Sequence, residues 1–79
     1  MNQKLYYLHF KETVDIDEIV EAFAGYFEPV RITQRYSTSF ELETTLSLSK
    51  ITFALDQWFR QFDFNIYRVT GAAYHVSES

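Results

Sequence analysis

Apolar and polar positions alternate along this chain with two different periods. From Lys4 to Lys11 the period is two: Leu5, Tyr7 and His9 point one way, and Tyr6, Leu8 and Phe10 point the other. Successive side chains of a strand project to opposite faces, so this segment predicts a strand. Bulk on both faces suits a central strand. After Glu12 the period changes. Ile16, Ile19, Val20, Phe23 and Phe27 fall at helical spacing on one face. Asp15 is placed as an N-cap, Glu18 three residues later completes a capping box, and Val14 with Ile19 forms a hydrophobic staple. Asp17, Glu18 and Glu21 lie off the apolar stripe, near the positive end of the helix dipole. Gly25 begins the exit, and Pro29 ends the segment because the residue before proline avoids the helical region.

Period two then returns twice. Val30–Arg35 predicts a second strand, with Val30, Ile32 and Tyr36 inward and Arg31, Thr33 and Arg35 outward. Phe40–Thr44 predicts a third, with Phe40 and Leu42 inward and Glu41 and Glu43 outward. A hairpin that pairs Tyr36 with Phe40 through Ser37-Thr38-Ser39 puts Arg35 opposite Glu41 and Thr33 opposite Glu43. A loop that pairs Tyr36 with Glu41 mixes the faces, which register forbids. This loop has no Gly or Asn to take a left-handed conformation, so one long bent strand from Val30 to Thr44 is the competing reading.

A second helix follows over Leu48–Phe62, capped by Ser47, with Leu46 and Ile51 as its staple. Its stripe is Leu48, Ile51, Leu55, Trp58, Phe59 and Phe62, which leaves Phe53 as an exposed aromatic. Asn65–Thr70 predicts the last strand, Gly71-Ala72-Ala73 a turn, and Tyr74-His75-Val76 a short extra strand. The order β-α-β-β-α-β predicts an α+β fold, the ferredoxin-like sandwich: a four-stranded antiparallel sheet with two helices on one face. Right-handed crossovers put the first and third strands in the middle and the charged second strand at an edge. The other sheet face is then open, with Leu5, Tyr7, His9, Arg31, Thr33, Arg35, Glu41, Glu43 and part of the last strand as its expected members. For the first and last strands, either set of side chains can be the inward one.

Composition sharpens this picture in three ways. With 79 residues there is room for a single α+β domain over residues 1–79, and 47% apolar and 19% aromatic residues are enough for a dense core. The absence of cysteine excludes disulfides and thiol chemistry and favours a cytoplasmic location. No apolar run approaches membrane-spanning length. The net charge is −4, but it is uneven: Glu12 to Glu28 holds six acidic residues and no basic one, whereas five of each follow from Pro29 onward.

Asp17-Glu-Ile-Val-Glu-Ala-Phe-Ala-Gly-Tyr-Phe-Glu-Pro-Val-Arg-Ile32 resembles the first helix and second strand of an RNA-recognition motif, and Ser39-Phe-Glu-Leu-Glu43 resembles the end of its third strand. The resemblance implies base stacking on aromatics of the two central strands, hence a single-stranded RNA or DNA binder using the open face. Tyr6 or Tyr7 would supply one ring. The aromatic positions of the third strand fall instead on Ser37 and Ser39, and the expected basic and glycine positions on Arg35 and Tyr36.

Catalytic signatures are missing. His9 and His75 lack metal-ligand spacing, no Gly-framed serine is present, and no Gly-rich loop precedes either helix. No catalytic, cofactor or metal residue is therefore assigned, and the expected function is non-enzymatic binding of another protein. The carboxylates of Glu12, Asp17, Glu18, Glu21 and Glu28 can mimic a run of phosphates and occupy a basic groove. The reading that follows is a compact inhibitor of a host nucleic-acid-handling protein, DNA-mimic-like or anti-CRISPR-like, such as a phage or mobile element carries. Tyr7, Arg31, Arg35, Phe53 and Tyr67 are the expected contact residues, and Asp17, Glu18 and Glu21 the steering residues. The competing expectations are nucleic-acid binding by the open face and a structural homodimer.

Overall fold

The computed structural model describes residues 3–60 and 63–69. Their order is β1 (Lys4–Phe10), α1 (Ile16–Ala22), β2 (Val30–Tyr36), β3 (Ser39–Thr44), α2 (Leu48–Asp56) and β4 (Phe64–Val69). The strands form one antiparallel sheet in the order β2-β3-β1-β4. The doubly bulky β1 and β3 are central, and the Arg-bearing β2 is an edge, as expected. Phe62, Thr70, Gly71-Ala72-Ala73 and Tyr74-His75-Val76 lie outside the described residues.

Burial resolves the orientation of β1. Tyr6, Leu8 and Phe10 are buried, whereas Leu5 and Tyr7 are half-buried and His9 is exposed. The buried set joins Phe40 and Leu42 of β3, Phe64 of β4, Ile19 and Ala22 of α1 with the adjoining Phe23, and Ile51, Ala54 and Leu55 of α2 in one cluster. Phe10 is its aromatic hub. Its ring meets Phe40 edge-on at 5.9 Å, Phe59 at 4.8 Å and Phe64 at 5.9 Å between centroids, within the range where aromatic pairs attract.

Both helices are shorter than the apolar spacing predicts. Asp15 caps α1 by accepting from the Asp17 amide at 3.0 Å. The return bond from Glu18 that would complete a capping box is not formed. After Ala22 the chain keeps turning with i→i+3 bonds, Phe23 N–H to Val20 O and Ala24 N–H to Glu21 O. That tighter winding breaks the helical stripe. Phe27 therefore stands 103% exposed; Val20, within the regular helix, is 51% exposed, and both depart from the expected inward face. Tyr26 lies half-buried against the core instead, with its ring against Phe23. In α2, Ser47 caps by accepting from the Lys50 amide at 3.3 Å. The helix ends at Asp56, not Phe62. Trp58 consequently lies exposed, while Phe59 still reaches Phe10; Leu48, at the first position of the helix, is exposed as well. Phe53 is exposed, as expected.

The hairpin differs in register from the expected one. Val30 pairs with Thr44, Arg31 with Glu43, Thr33 with Glu41, and Gln34 with Phe40. Tyr36 then pairs with Ser39 across a two-residue turn, Ser37-Thr38, with Arg35 left over as a bulge. The bulge supplies the extra residue that a two-residue loop lacked, so the faces stay unmixed up to Gln34. Among the described residues none has positive φ, so the turn needs neither Gly nor Asn. Tyr36 is turned by the bulge from its expected inward position to the open face, and the long bent strand is excluded. β4 starts one residue earlier than expected, at Phe64, and β3 at Ser39.

Tyr6 links the sheet to the lead-in of α2. Its buried hydroxyl donates to the Leu46 carbonyl at 2.9 Å, and the buried Thr44 hydroxyl accepts from the Leu46 amide at 3.2 Å. Tyr6→Phe leaves that carbonyl buried without its partner, at a cost of about 1–3 kcal/mol. Urea unfolding is expected to show a lowered midpoint with an unchanged slope, whereas Tyr7→Phe on the other face leaves the midpoint nearly where it was.

Candidate binding face

The strand registers arrange the open face in three rows. The first runs Val69, Leu5, Glu43, Arg31; the second Tyr67, Tyr7, Glu41, Thr33; the third Asn65, His9, Ser39, Tyr36. The β4 and β1 half of the face is thus aromatic and aliphatic, and the β3 and β2 half is charged. Tyr67 is 56% exposed and Tyr36 71% exposed, with Tyr7 half-buried between Tyr67 and Glu41.

Ion pairs hold the charged half. Arg35 Nε donates to Glu41 Oε2 at 3.2 Å, and Arg31 Nη1 approaches Glu43 Oε1 at 3.9 Å. Arg35 was expected to oppose Glu41 in register. It sits in the bulge instead and reaches the same carboxylate from there. In the third row His9 Nδ1 and Ser39 Oγ are 3.0 Å apart. Ser39 is only 3% exposed, so its hydroxyl is closed off from any substrate and the contact braces neighbouring strands. Among the described residues no three His, Asp or Glu side chains converge to hold a metal ion.

The residues singled out from the sequence divide between two sides of the sheet. Tyr7, Tyr67, Arg31 and Arg35 share the open face. Asp17, Glu18 and Glu21 are exposed on α1, and Phe53 is exposed on α2, in the helix layer. Tyr36, Leu5 and Val69 complete the open face. Tyr36 was missed because nothing in a run of Ser and Thr marks a bulge. The exposed Phe27 and Trp58 were missed because helical spacing was extended beyond the true helix ends. The acids of the 12–28 run have no ion-pair partner among the described residues. No helix among the described residues is long and apolar enough to cross a membrane.

The chain matches no protein-family model, no curated protein and no solved structure.

Exposed ion pairs contribute little to folding, because water already solvates both charges. Arg35→Ala is expected to lower stability by no more than about 1 kcal/mol, and the difference should shrink in high salt. Arg31→Ala, at the longer and more exposed pair, should change the unfolding midpoint less than Arg35→Ala does.

Proposed function

We propose that this chain is a ferredoxin-like sandwich that acts by binding another protein, with no catalytic step of its own. The order β2-β3-β1-β4, with the buried residues of both helices in one core, supports the fold. The observation that carries the function is the composition of the open face. Tyr7, Tyr67 and Tyr36 stand there with Leu5 and Val69, beside the guanidinium groups of Arg31 and Arg35. Tyrosine and arginine contribute most to binding once a partner excludes water from them.

A protein partner suits this face better than a nucleic acid. Base stacking in the resembling family uses rings on both central strands. Here β3 offers Glu41, Glu43 and the inaccessible Ser39, and carboxylates repel a phosphate backbone. The acids of α1 and its flanks, without an ion-pair partner among the described residues, add attraction toward a basic partner. Together they fit a compact, DNA-mimic-like inhibitor of a nucleic-acid-handling protein, as a phage or mobile element would carry. A cysteine-free chain suits the reducing cytoplasm.

Capture from a host extract on immobilised wild-type chain, set beside Tyr7→Ala/Tyr67→Ala, tests the face. A stoichiometric protein partner held by the wild type and lost by the double variant is the expected result. Equal retention by both removes the open face as the interface. A single-stranded oligonucleotide that binds at low salt and dissociates steeply as salt rises would transfer the face to nucleic acid.

Steering is tested separately on the purified partner. Replacing Asp17, Glu18 and Glu21 by Lys is expected to slow association about tenfold or more at low salt, with dissociation little changed. An unaltered on-rate would leave those carboxylates with the role of a solvated helix face.

A further inference from the structure

The two edges of the sheet differ in how they are guarded. Antiparallel partners alternate between pairs that exchange backbone hydrogen bonds and pairs that do not. The Lys11 amide donates to the Asp63 carbonyl at 2.9 Å, and the Phe10 amide to the Thr38 carbonyl at 2.8 Å. Carried along the β1–β4 and β1–β3 registers, these bonds fix where every strand backbone points. Leu5, Tyr7 and His9 turn their amides and carbonyls to β4; Tyr6 and Leu8 turn theirs to β3. In β4, Asn65, Tyr67 and Val69 face β1. Phe64, Ile66 and Arg68 therefore turn their N–H and C=O away from β1, to an edge on which no other strand pairs among the described residues. The same alternation frees Val30, Ile32 and Gln34 on β2.

The β2 edge is guarded. Pro29 precedes it, the bulge at Arg35 interrupts it, and the Gln34 side-chain amide donates to the Tyr36 carbonyl at 3.2 Å. These features discourage strand addition. Among the described residues the β4 edge has none of them. Its six residues keep unbroken register with β1 from Phe64 to Val69, and its sequence carries one charge, Arg68, and no proline. A regular, unguarded edge is a template for another strand.

We propose that β4 pairs with β4 of a second copy, antiparallel about a two-fold axis at Ile66, joining two four-stranded sheets into one of eight. The free backbone groups of Phe64, Ile66 and Arg68 then meet their counterparts. Arg68 lies opposite Phe64 of the second copy, and Asn65 opposite its Tyr67. Charge permits this register: the two guanidinium groups sit four residues apart, about 13 Å along the strands. A two-fold contact also closes. Pairing β4 onto the guarded β2 of another copy would leave open edges and grow without limit. The closed pair sets the Tyr67 side chains of both copies on one continuous open face. This inference rests on the edges alone and stands or falls apart from the function proposed for the face.

Hydrogen exchange of the full chain, read amide by amide in dilute and concentrated solution alongside light scattering, tests it. The mass is expected to double with concentration. The amides of Phe64, Ile66 and Arg68 should gain about tenfold or more protection, while those of Asn65, Tyr67 and Val69 are protected throughout. Arg68→Pro removes an outward N–H without touching the β1 pairing, as proline is tolerated at an edge position of this kind. It is expected to weaken the dimer about tenfold or more, since the two-fold loses two hydrogen bonds. A monomer at every concentration overturns the proposal. So does a dimer whose Phe64, Ile66 and Arg68 amides stay unprotected, which points to pairing through the sheet face. Protection of those amides already in the dilute monomer overturns it too, because the edge is then covered from within the chain. If Arg68→Pro fails to fold, the alternation of wild-type amides decides alone.

Discussion

The covered face of the sheet must receive the same set of side chains from every strand, and that requirement governs the rest of the structure. Phe10, Phe40, Leu42 and Phe64 can share one core with the helices only if all the strand registers keep parity. A slip of one residue would bring Glu41 or Glu43 under α2, with no partner for the charge. The bulge at Arg35 is a consequence. A two-residue turn between β2 and β3 breaks parity, and one extra residue before Tyr36 absorbs the break where the strand leaves the core. The core stays regular, and the irregularity falls on the open face.

That division explains what could be read from the sequence. The order of elements, the central place of β1, the edge place of β2 and the caps at Asp15 and Ser47 follow from local rules, and all are present. The helix ends do not. Phe27 and Trp58 continue the helical spacing on paper, yet neither reaches the core. Winding tightens after Ala22 in one helix, and the other helix stops at Asp56. Apolar periodicity records where a residue would point if the helix went on, and it carries no information about whether the helix does go on. Tyr36 failed for the related reason that a bulge in a polar hairpin has no compositional mark. The alternation of β1 and β4 was legible, but bulk on both faces left their orientation open until burial showed Tyr6, Leu8 and Phe10 inward.

The surfaces left over are chemically distinct. On the open face both arginines are already engaged by Glu41 and Glu43, so its charged half is close to neutral and its aromatic half is free to be desolvated. The acids of the first third have no such partners among the described residues, and their field extends into solvent. The anchoring and steering proposed above therefore fall on different sides of the sheet. Under that proposal a partner that engages both must wrap an edge, or meet the acids first and the tyrosines later.

The edges bear on that choice. β2 lies beside the ion-paired half of the open face, and its bulge and side-chain amide close it to strand addition. β4 lies beside the tyrosines and keeps a regular backbone. Among the described residues, the amides and carbonyls on its outer side have no strand partner and lie next to exposed rings, the combination on which the proposed strand pairing rests. The same parity that turns Phe64 and Ile66 toward the core turns their backbone groups away from β1, and it does so on β2 as well, so the bulge and the Gln34 amide are what separate the two edges.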